Sequence, residues 1–112
     1  MNYILSIDQG TSGTKALVFD ADGKAIARGA VPLQTNYFGE GFVEQDPEAI
    51  YNNVTTAVGN CLNDLEIKGY SKKQIAAIGI SNQRETFVLW DESGRSLHPA
   101  IVWQCKRSIK VC

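Results

Sequence analysis

The sequence has few of the residues that form metal and disulfide sites. It contains one histidine and three cysteines, and the spacing of Cys61, Cys105 and Cys112 around His98 matches neither CxxC nor a zinc-ligand pattern. Three cysteines cannot all pair within one chain, so we expect free thiols. Cys61 falls on the apolar face of a predicted helix, which is typical of a small core residue.

Long hydrophobic runs and an excess of either charge are also absent. The apolar run at residues 3–7 follows no basic region and is too short for a signal peptide or a membrane span. The formal net charge is −1, with acids and bases interspersed, which disfavours nucleic acid and an acidic membrane surface as partners. We therefore expect one small cytoplasmic domain that binds a small ligand or a soluble partner.

What the sequence does contain is a turn rich in glycine and hydroxyl groups at residues 8–15, between two apolar runs. Glycines without a Cβ let a bulky anion approach backbone N–H groups, and hydroxyls can donate as well. The residues expected to face phosphate are Gly10, Thr11, Ser12, Gly13, Thr14 and Lys15. Asp8 could hold a hydrated divalent metal or an attacking hydroxyl, while Lys15 could offset phosphate charge.

The same turn has a purely conformational explanation. Gly, Ser and Thr also occur in ordinary hairpin turns, so the turn alone leaves a hairpin and a phosphate site equally open. It is not a Walker loop, because the pattern of Gly, four residues and Gly-Lys-Ser/Thr is missing and no helical pattern follows.

The N-terminal pattern predicts a meander of three antiparallel strands, at residues 3–7, 15–20 and 24–31. The first strand is almost continuously apolar, which predicts that it lies inside the sheet with both faces covered. The third alternates less cleanly and is expected near an edge. Residues 34–45 have no sustained period and are predicted to form a loop.

A helix is expected to begin at Asp46, which can cap it, with Pro47 at the first helical position and Glu48 complementing the helix dipole. Apolar residues then recur every three or four positions, and the helix should end before Gly69. The small apolar run Ile75–Ser81 is typical of a buried parallel strand, which makes the helix a crossover connection.

A second polar group follows this strand. Arg84 and Glu85 stand at the strand's edge, where charges are costly unless they are paired or face a cleft. Ligands of such sheets bind beyond the carboxyl ends of the strands, which puts Asp8, residues 82–85 and Trp103 on one rim. An adjacent Arg donor and Glu acceptor suit a neutral polyol, and Trp103 can pack on its carbon atoms. A surface ion pair beside a core Trp would explain the same residues.

Taken together, these stretches resemble the sugar kinases of the FGGY family, members of the actin-like ATPase superfamily. The turn at residues 8–15 is similar to the family's first phosphate loop. Three further motifs are similar to the glycerol kinase branch, in order and spacing: Gly41-Phe42-Val43-Glu44-Gln45-Asp46-Pro47, Ser81-Asn82-Gln83-Arg84-Glu85-Thr86 and Ile101-Val102-Trp103-Gln104-Cys105-Lys106-Arg107-Ser108. The resemblance implies an α/β, ribonuclease H-like half-domain, a mixed sheet with three antiparallel N-terminal strands, one crossover helix and a further parallel strand.

The resemblance also implies ATP and Mg²⁺ as cofactors and glycerol as substrate. Thr11 and Ser12 would contact ATP phosphates, and Asp8 would lie near the transferred phosphoryl and bind magnesium through water. Lys15 stands where an arginine is usual, which keeps the charge but loses the bidentate fork. Gly13 replaces a hydroxyl residue, which removes one donor.

For the polyol, the resemblance implies binding by Arg84, Glu85 and Trp103, with Gln83 beside them. Cys105 also matches the family pattern and is therefore expected to be structural, although Lys106 and Arg107 could lower its pKa.

The family's general base, a later aspartate, and the lobe that holds adenosine have no counterpart in this sequence. We therefore expect residues 1–112 to be an incomplete, N-terminal part of an FGGY-type kinase domain that does not catalyse alone. Three alternatives stay open: a kinase for another sugar or polyol such as a pentulose, a non-catalytic polyol- or nucleotide-binding module, and an interaction domain whose apolar contact face pairs two chains.

Overall fold

The computed structural model describes residues 2–39, 41–83, 86 and 88–102, with the backbone alone at Phe38. It contains one long helix, α1 (Pro47–Ile67), and a 3-10 turn at Lys72–Gln74. The strands are β1 (Tyr3–Gln9), β2 (Gly13–Phe19), β3 (Ala25–Pro32), β4 (Asn36–Phe38), β5 (Phe42–Gln45), β6 (Ile75–Ser81) and β7 (Ala100–Ile101). In this part of the chain, no helix is both long and apolar enough to cross a membrane.

The main sheet has four strands in the order β3-β2-β1-β6. The pairs β1–β2 and β2–β3 are antiparallel, whereas β6 runs parallel to β1. The turn between β2 and β3 is closed by Asp20, whose carboxylate accepts from the backbone N–H groups of Asp22 and Lys24. The predicted meander, the crossover and the edge position of the third strand are confirmed.

Helix α1 begins as the sequence predicts. Asp46 accepts a hydrogen bond from the N–H of Glu48 at 3.0 Å, and Pro47 occupies the first turn. The helix packs across β2 and β3 through an apolar stripe in which Ala57, Cys61 and Leu65 are fully buried. Its end before Gly69 is also confirmed.

Cys61 is a core residue, as predicted. Burial raises the pKa of its thiol above the ordinary value, and the nearby Asp64 carboxylate raises it further. A thiol held protonated in this way is a poor nucleophile. Cys105 and Cys112 lie outside the described residues.

The predicted burial of β1 and β6 is wrong in part. β1 does lie inside the sheet, but Ile4 on the face away from α1 is 50% exposed. On β6, Ile78 and Ile80 pair with Leu5 and Ile7 and so point to the α1 side, yet they are 60% and 72% exposed. The reason is that α1 lies over β2 and β3 and does not reach the β6 edge.

The segment predicted to be a loop at residues 34–45 instead forms a hairpin. β4 pairs with β5, and β5 also pairs with β7, which together make a small second sheet. Val43, Glu44 and Gln45 are buried there. The strands are too short to show a period, and the pairing of Glu44 with Ile101 joins residues far apart in sequence.

Candidate functional site

The turn between β1 and β2 opens into a cavity of about 370 Å³. The turn is closed by a 2.8 Å hydrogen bond from the Gly10 N–H to the Gly13 carbonyl. The cavity is lined by the turn itself and by the end of β3. A concave surface built of glycine backbone and short hydroxyl side chains is suited to an anion such as phosphate.

Asp8 and Lys15 are cross-strand partners on β1 and β2, so their side chains share one face of the hairpin. Both are exposed, while their neighbours Ile7, Gln9 and Ala16 are buried on the opposite face. Within the part of the chain that the structure describes, the two side chains form no ion pair with each other. A carboxylate and an ammonium group are therefore both presented at the mouth of the cavity.

Gly13 is required by close packing. A Cβ at this position would lie 3.0 Å from the Pro32 Cα and even nearer to the Val31 carbonyl oxygen. A larger residue at this position would therefore push β2 away from β3.

Thr14 does not serve as the hydroxyl donor that the sequence predicts. Its side chain is buried, and its Oγ1 donates to Asn53 Oδ1 on α1 at 2.6 Å. Asn53 in turn donates to the Pro32 carbonyl at 2.8 Å. The reason is the strand alternation, because Thr14 points to the helix side of the sheet while Lys15 points to the cavity. Ser12 remains exposed at the turn.

Three glutamines lie behind the turn and connect it to the second polar group. The Gln45 Nε2 donates to the Thr11 carbonyl at 2.8 Å, and its Oε1 accepts from Gln83 Nε2 at 2.8 Å. Gln83 also donates to Gln9 Oε1 at 3.2 Å and approaches the Gly10 carbonyl at 3.4 Å. Gln83 therefore lies against the turn, and the predicted shared rim is confirmed for this residue.

The other members of the predicted polyol group, Arg84, Glu85 and Trp103, lie outside the described residues. Their assignment to the polyol stays a prediction. Gln83 is described, and the hydrogen bonds of its amide go to the turn, to Gln45 and to Thr86. Its role in binding substrate directly also stays a prediction.

The residues present fit a nucleotide phosphate with a hydrated magnesium ion. The cavity offers backbone and hydroxyl donors beside the Lys15 ammonium. No group of three or more metal-ligating side chains occurs among the described residues. Mg²⁺ does not need one, since it commonly keeps several waters and binds through one or two carboxylates plus phosphate oxygens. Asp8 lines the cavity and would hold the ion through its water ligands.

Sequence reasoning missed Gln9, Gln45 and Asn53. Asn53 gave one usable signal, because an amide inside the apolar stripe of α1 must find a buried partner. Gln45 was noted only as part of a motif, and Gln9 only as part of the turn. Nothing local in the sequence indicates that residues so far apart share hydrogen bonds.

Comparison with known proteins defines the class. The N-terminal domain of the FGGY family of carbohydrate kinases matches residues 3–112. The chain belongs to this family, and its mixed sheet with one crossover helix is the predicted actin-like ATPase architecture.

Within the family, glycerol kinases are among the similar proteins. The glycerol kinase of Rhizobium rhizogenes is 45% identical over 111 residues, which are 98% of this chain and 22% of that protein. The crystal structure of Plasmodium falciparum glycerol kinase with ADP has a TM-score of 0.87 at 33% identity, over 99% of this chain and 22% of the other. A ligand-bound xylulose kinase from Lactobacillus acidophilus has a TM-score of 0.82 at 29% identity, over 99% and 21%. The chain thus spans about a fifth of the length of these relatives.

Proposed function

We propose that this chain is the N-terminal part of an ATP-dependent glycerol kinase, which transfers the γ-phosphoryl group of ATP to a glycerol hydroxyl. In this proposal the 8–15 turn binds nucleotide phosphate, and the segment after Gln83 binds the polyol. The 112 residues do not catalyse by themselves. A cytoplasmic location belongs to the same proposal.

The observation that carries the proposal is the geometry of the turn. Asp8 and Lys15 face one side of a glycine-lined cavity without pairing with each other, in the described part of the chain. A hairpin turn does not by itself require an acid and a base at one cavity, whereas a phosphate with a hydrated metal ion uses both. The similarity to glycerol kinases over almost the whole chain supports the same reading.

Each residue has a definite task in this proposal. Lys15 offsets phosphate charge as a point cation, Ser12 donates its hydroxyl, and the N–H groups of the turn hold phosphate oxygens. Asp8 would hold hydrated Mg²⁺ by accepting hydrogen bonds from its water ligands. Phosphoryl transfer depends on such positioning and on neutralising developing charge. Magnesium, when bound, would supply that neutralisation at the phosphate oxygens.

Calorimetry with MgADP tests the phosphate half of the proposal. Lys15→Met should weaken binding about fivefold, because an exposed charge pair is worth up to about 1 kcal/mol. Lys24→Met, in the turn between β2 and β3 at the opposite end of the sheet, is the matched control and should bind like the wild type. Asp8→Asn should remove the advantage that Mg²⁺ gives to ADP binding. Equal affinity of both lysine variants would contradict the proposal.

Two further assays address the polyol and the incompleteness. Calorimetry with glycerol at millimolar concentration, against xylulose as an alternative ligand, tests which polyol binds. The pentulose alternative gains support if xylulose binds more tightly. A phosphorylation assay with ATP and glycerol should show no turnover by this chain, and substantial turnover would show that the residues present are sufficient.

The interaction-domain alternative rests on a different observation. Ile78 and Ile80 form an exposed apolar surface on β6, the last strand of the described sheet. Exposed apolar patches and open strand edges favour association. Self-association is therefore expected beside, and not in place of, nucleotide binding.

A further inference from the structure

The side chains of Gln9, Gln45 and Gln83, here called the glutamine triad, come from three separate elements. Gln9 ends β1, Gln45 ends β5 in the second sheet, and Gln83 follows β6. All three meet behind the 8–15 turn. The second sheet therefore reaches the main sheet's candidate site through Gln45.

Two backbone carbonyls fix the orientation of all three amides. The Thr11 carbonyl can only accept, so Gln45 must present its Nε2 there, at 2.8 Å, and its Oε1 to Gln83. The Gly10 carbonyl likewise takes Gln9 Nε2 at 2.9 Å, which turns Gln9 Oε1 towards Gln83 Nε2. Gln83 Oε1 then accepts from Thr86 at 3.0 Å. Each amide has one orientation that satisfies its partners.

Burial makes this set of hydrogen bonds cooperative. Gln45 has no solvent exposure, and Gln9 is 7% exposed. Gln45 also donates to the Thr35 hydroxyl at 2.6 Å, and Thr35 itself donates to the Thr11 carbonyl. Removing one buried amide takes a hydrogen bond from each of its partners, at a cost larger than that of one bond.

We propose that Gln45 is a positioning residue that ties the 8–15 turn to the segment beginning at Gln83, so that the phosphate half and the polyol half of the site keep one relative geometry. This inference rests on the proposed function for its meaning. Gln45 holds a carbonyl of the turn with one end of its amide and Gln83 with the other. Gln83 directly precedes Arg84 and Glu85 in the sequence.

A double-mutant cycle in urea unfolding tests the connection. Gln45→Met and Gln83→Met keep the side-chain length and remove the amides. Their combined effect on the unfolding equilibrium should differ from the product of the single effects by at least about threefold, as expected for residues that share hydrogen bonds. The control cycle pairs Gln83→Met with Asn53→Leu, which also breaks buried bonds near the turn but shares no partner with Gln83, and it should be multiplicative. A multiplicative result for Gln45 and Gln83 overturns the proposal.

A second variant keeps the test decisive if Gln45→Met does not fold. Thr35→Val removes a hydrogen-bond partner of Gln45, and among the hydrogen bonds described here Thr35 connects to Gln83 through Gln45. The cycle of Thr35→Val with Gln83→Met should then show a coupling of at least about threefold. A multiplicative result here overturns the proposal in the same way.

Amide NMR with MgADP as the probe separates positioning from simple stability. In the wild type, shifts at Gly10 and Ser12 should be accompanied by shifts at Gln83 and Thr86. Gln45→Glu replaces the donor that faces the Thr11 carbonyl but keeps an acceptor for Gln83, so the shifts should stop at the turn. Shifts that reach Gln83 equally in both proteins overturn the proposal. If MgADP shifts nothing at the turn, the proposed function fails, and the double-mutant cycle alone decides on Gln45.

Discussion

Alanine at position 13 should separate the two strands that form the wall of the cavity. A Cβ there would lie 3.0 Å from the Pro32 Cα, whereas ordinary contact begins near 3.4 Å, and it would overlap the Val31 carbonyl oxygen more severely. The neighbouring atoms are backbone and cannot rotate away. β2 and β3 must therefore move apart where Leu33 donates to the Ser12 carbonyl.

The expected cost of Gly13→Ala is about 1–3 kcal/mol, the usual range for overpacking. For a domain of this size that corresponds to a lower Tm by about 4 °C per kcal/mol. Thermal unfolding followed by circular dichroism measures it. Gly10→Ala is the matched control in the same turn, because its Cβ would meet only the Gly13 carbonyl oxygen at 3.5 Å. This variant should stay within about 0.5 kcal/mol of the wild type.

Gly13→Ser should be destabilised like Gly13→Ala, and its added hydroxyl should not raise affinity for MgADP. The physical reason is that the strand separation disturbs the turn before the hydroxyl can contribute. If Gly13→Ala is as stable as Gly10→Ala, the close approach of β2 to β3 is not present in solution and the reasoning fails.

Three further predictions concern the scaffold. Gly29→Ala should lower the free energy of unfolding by about 1–3 kcal/mol, because its Cβ would lie 2.6 Å from the Cys61 backbone nitrogen on α1. Gly79→Ala is the control, since its Cβ would have no atom within 4 Å. It should leave the free energy of unfolding unchanged in the same urea titration. Asp64→Asn should destabilise the chain at pH 7 but not at strongly acidic pH. The hydrogen bond from the Arg28 backbone N–H on β3 lowers the pKa of Asp64. The stabilisation by the Asp64 carboxylate is therefore present above the ordinary pKa of an aspartate and is lost as the pH falls through the lowered pKa. An equal loss of stability at both pH values would contradict this. Lysine at positions 78 and 80 should reduce self-association in sedimentation velocity, and unchanged association would show that β6 is not the contact surface.

The helix and the meander could be predicted because the residues that determine them are close together in the sequence. The cap at Asp46, the proline beside it and the apolar stripe of α1 lie within one stretch of chain, and they determine where the helix begins and which face it buries. The turn at Asp20 and the meander follow from the same kind of signal.

The second sheet and the glutamine triad were not predictable in this way. β5 and β7 pair residues that are far apart in sequence, and a strand of two residues has no period. The environment of Gln45 depends on three elements that come together only in the fold. The sequence could predict that the turn is a candidate site, but it could not predict the hydrogen bonds that the glutamine triad makes to the turn.

The exposure of β6 shows a different limit of sequence patterns. The run Ile75–Ser81 has the composition of a strand covered on both faces, and the prediction of a parallel strand was correct. Among the described residues, none buries the exposed side chains of this strand. Composition indicates that a surface is suited to burial, and it does not indicate which residues bury it.

The most direct measurement of the central claim is a residue-resolved NMR titration of the wild-type chain with MgADP. Phosphate binding at the turn predicts progressive shifts at the backbone amides of Gly10, Thr11, Ser12, Gly13 and Lys15, with weaker shifts in Lys15→Met. Saturating nucleotide that leaves these amides unchanged, or that shifts only residues remote from the turn, would contradict the assignment of residues 8–15 as a phosphate site.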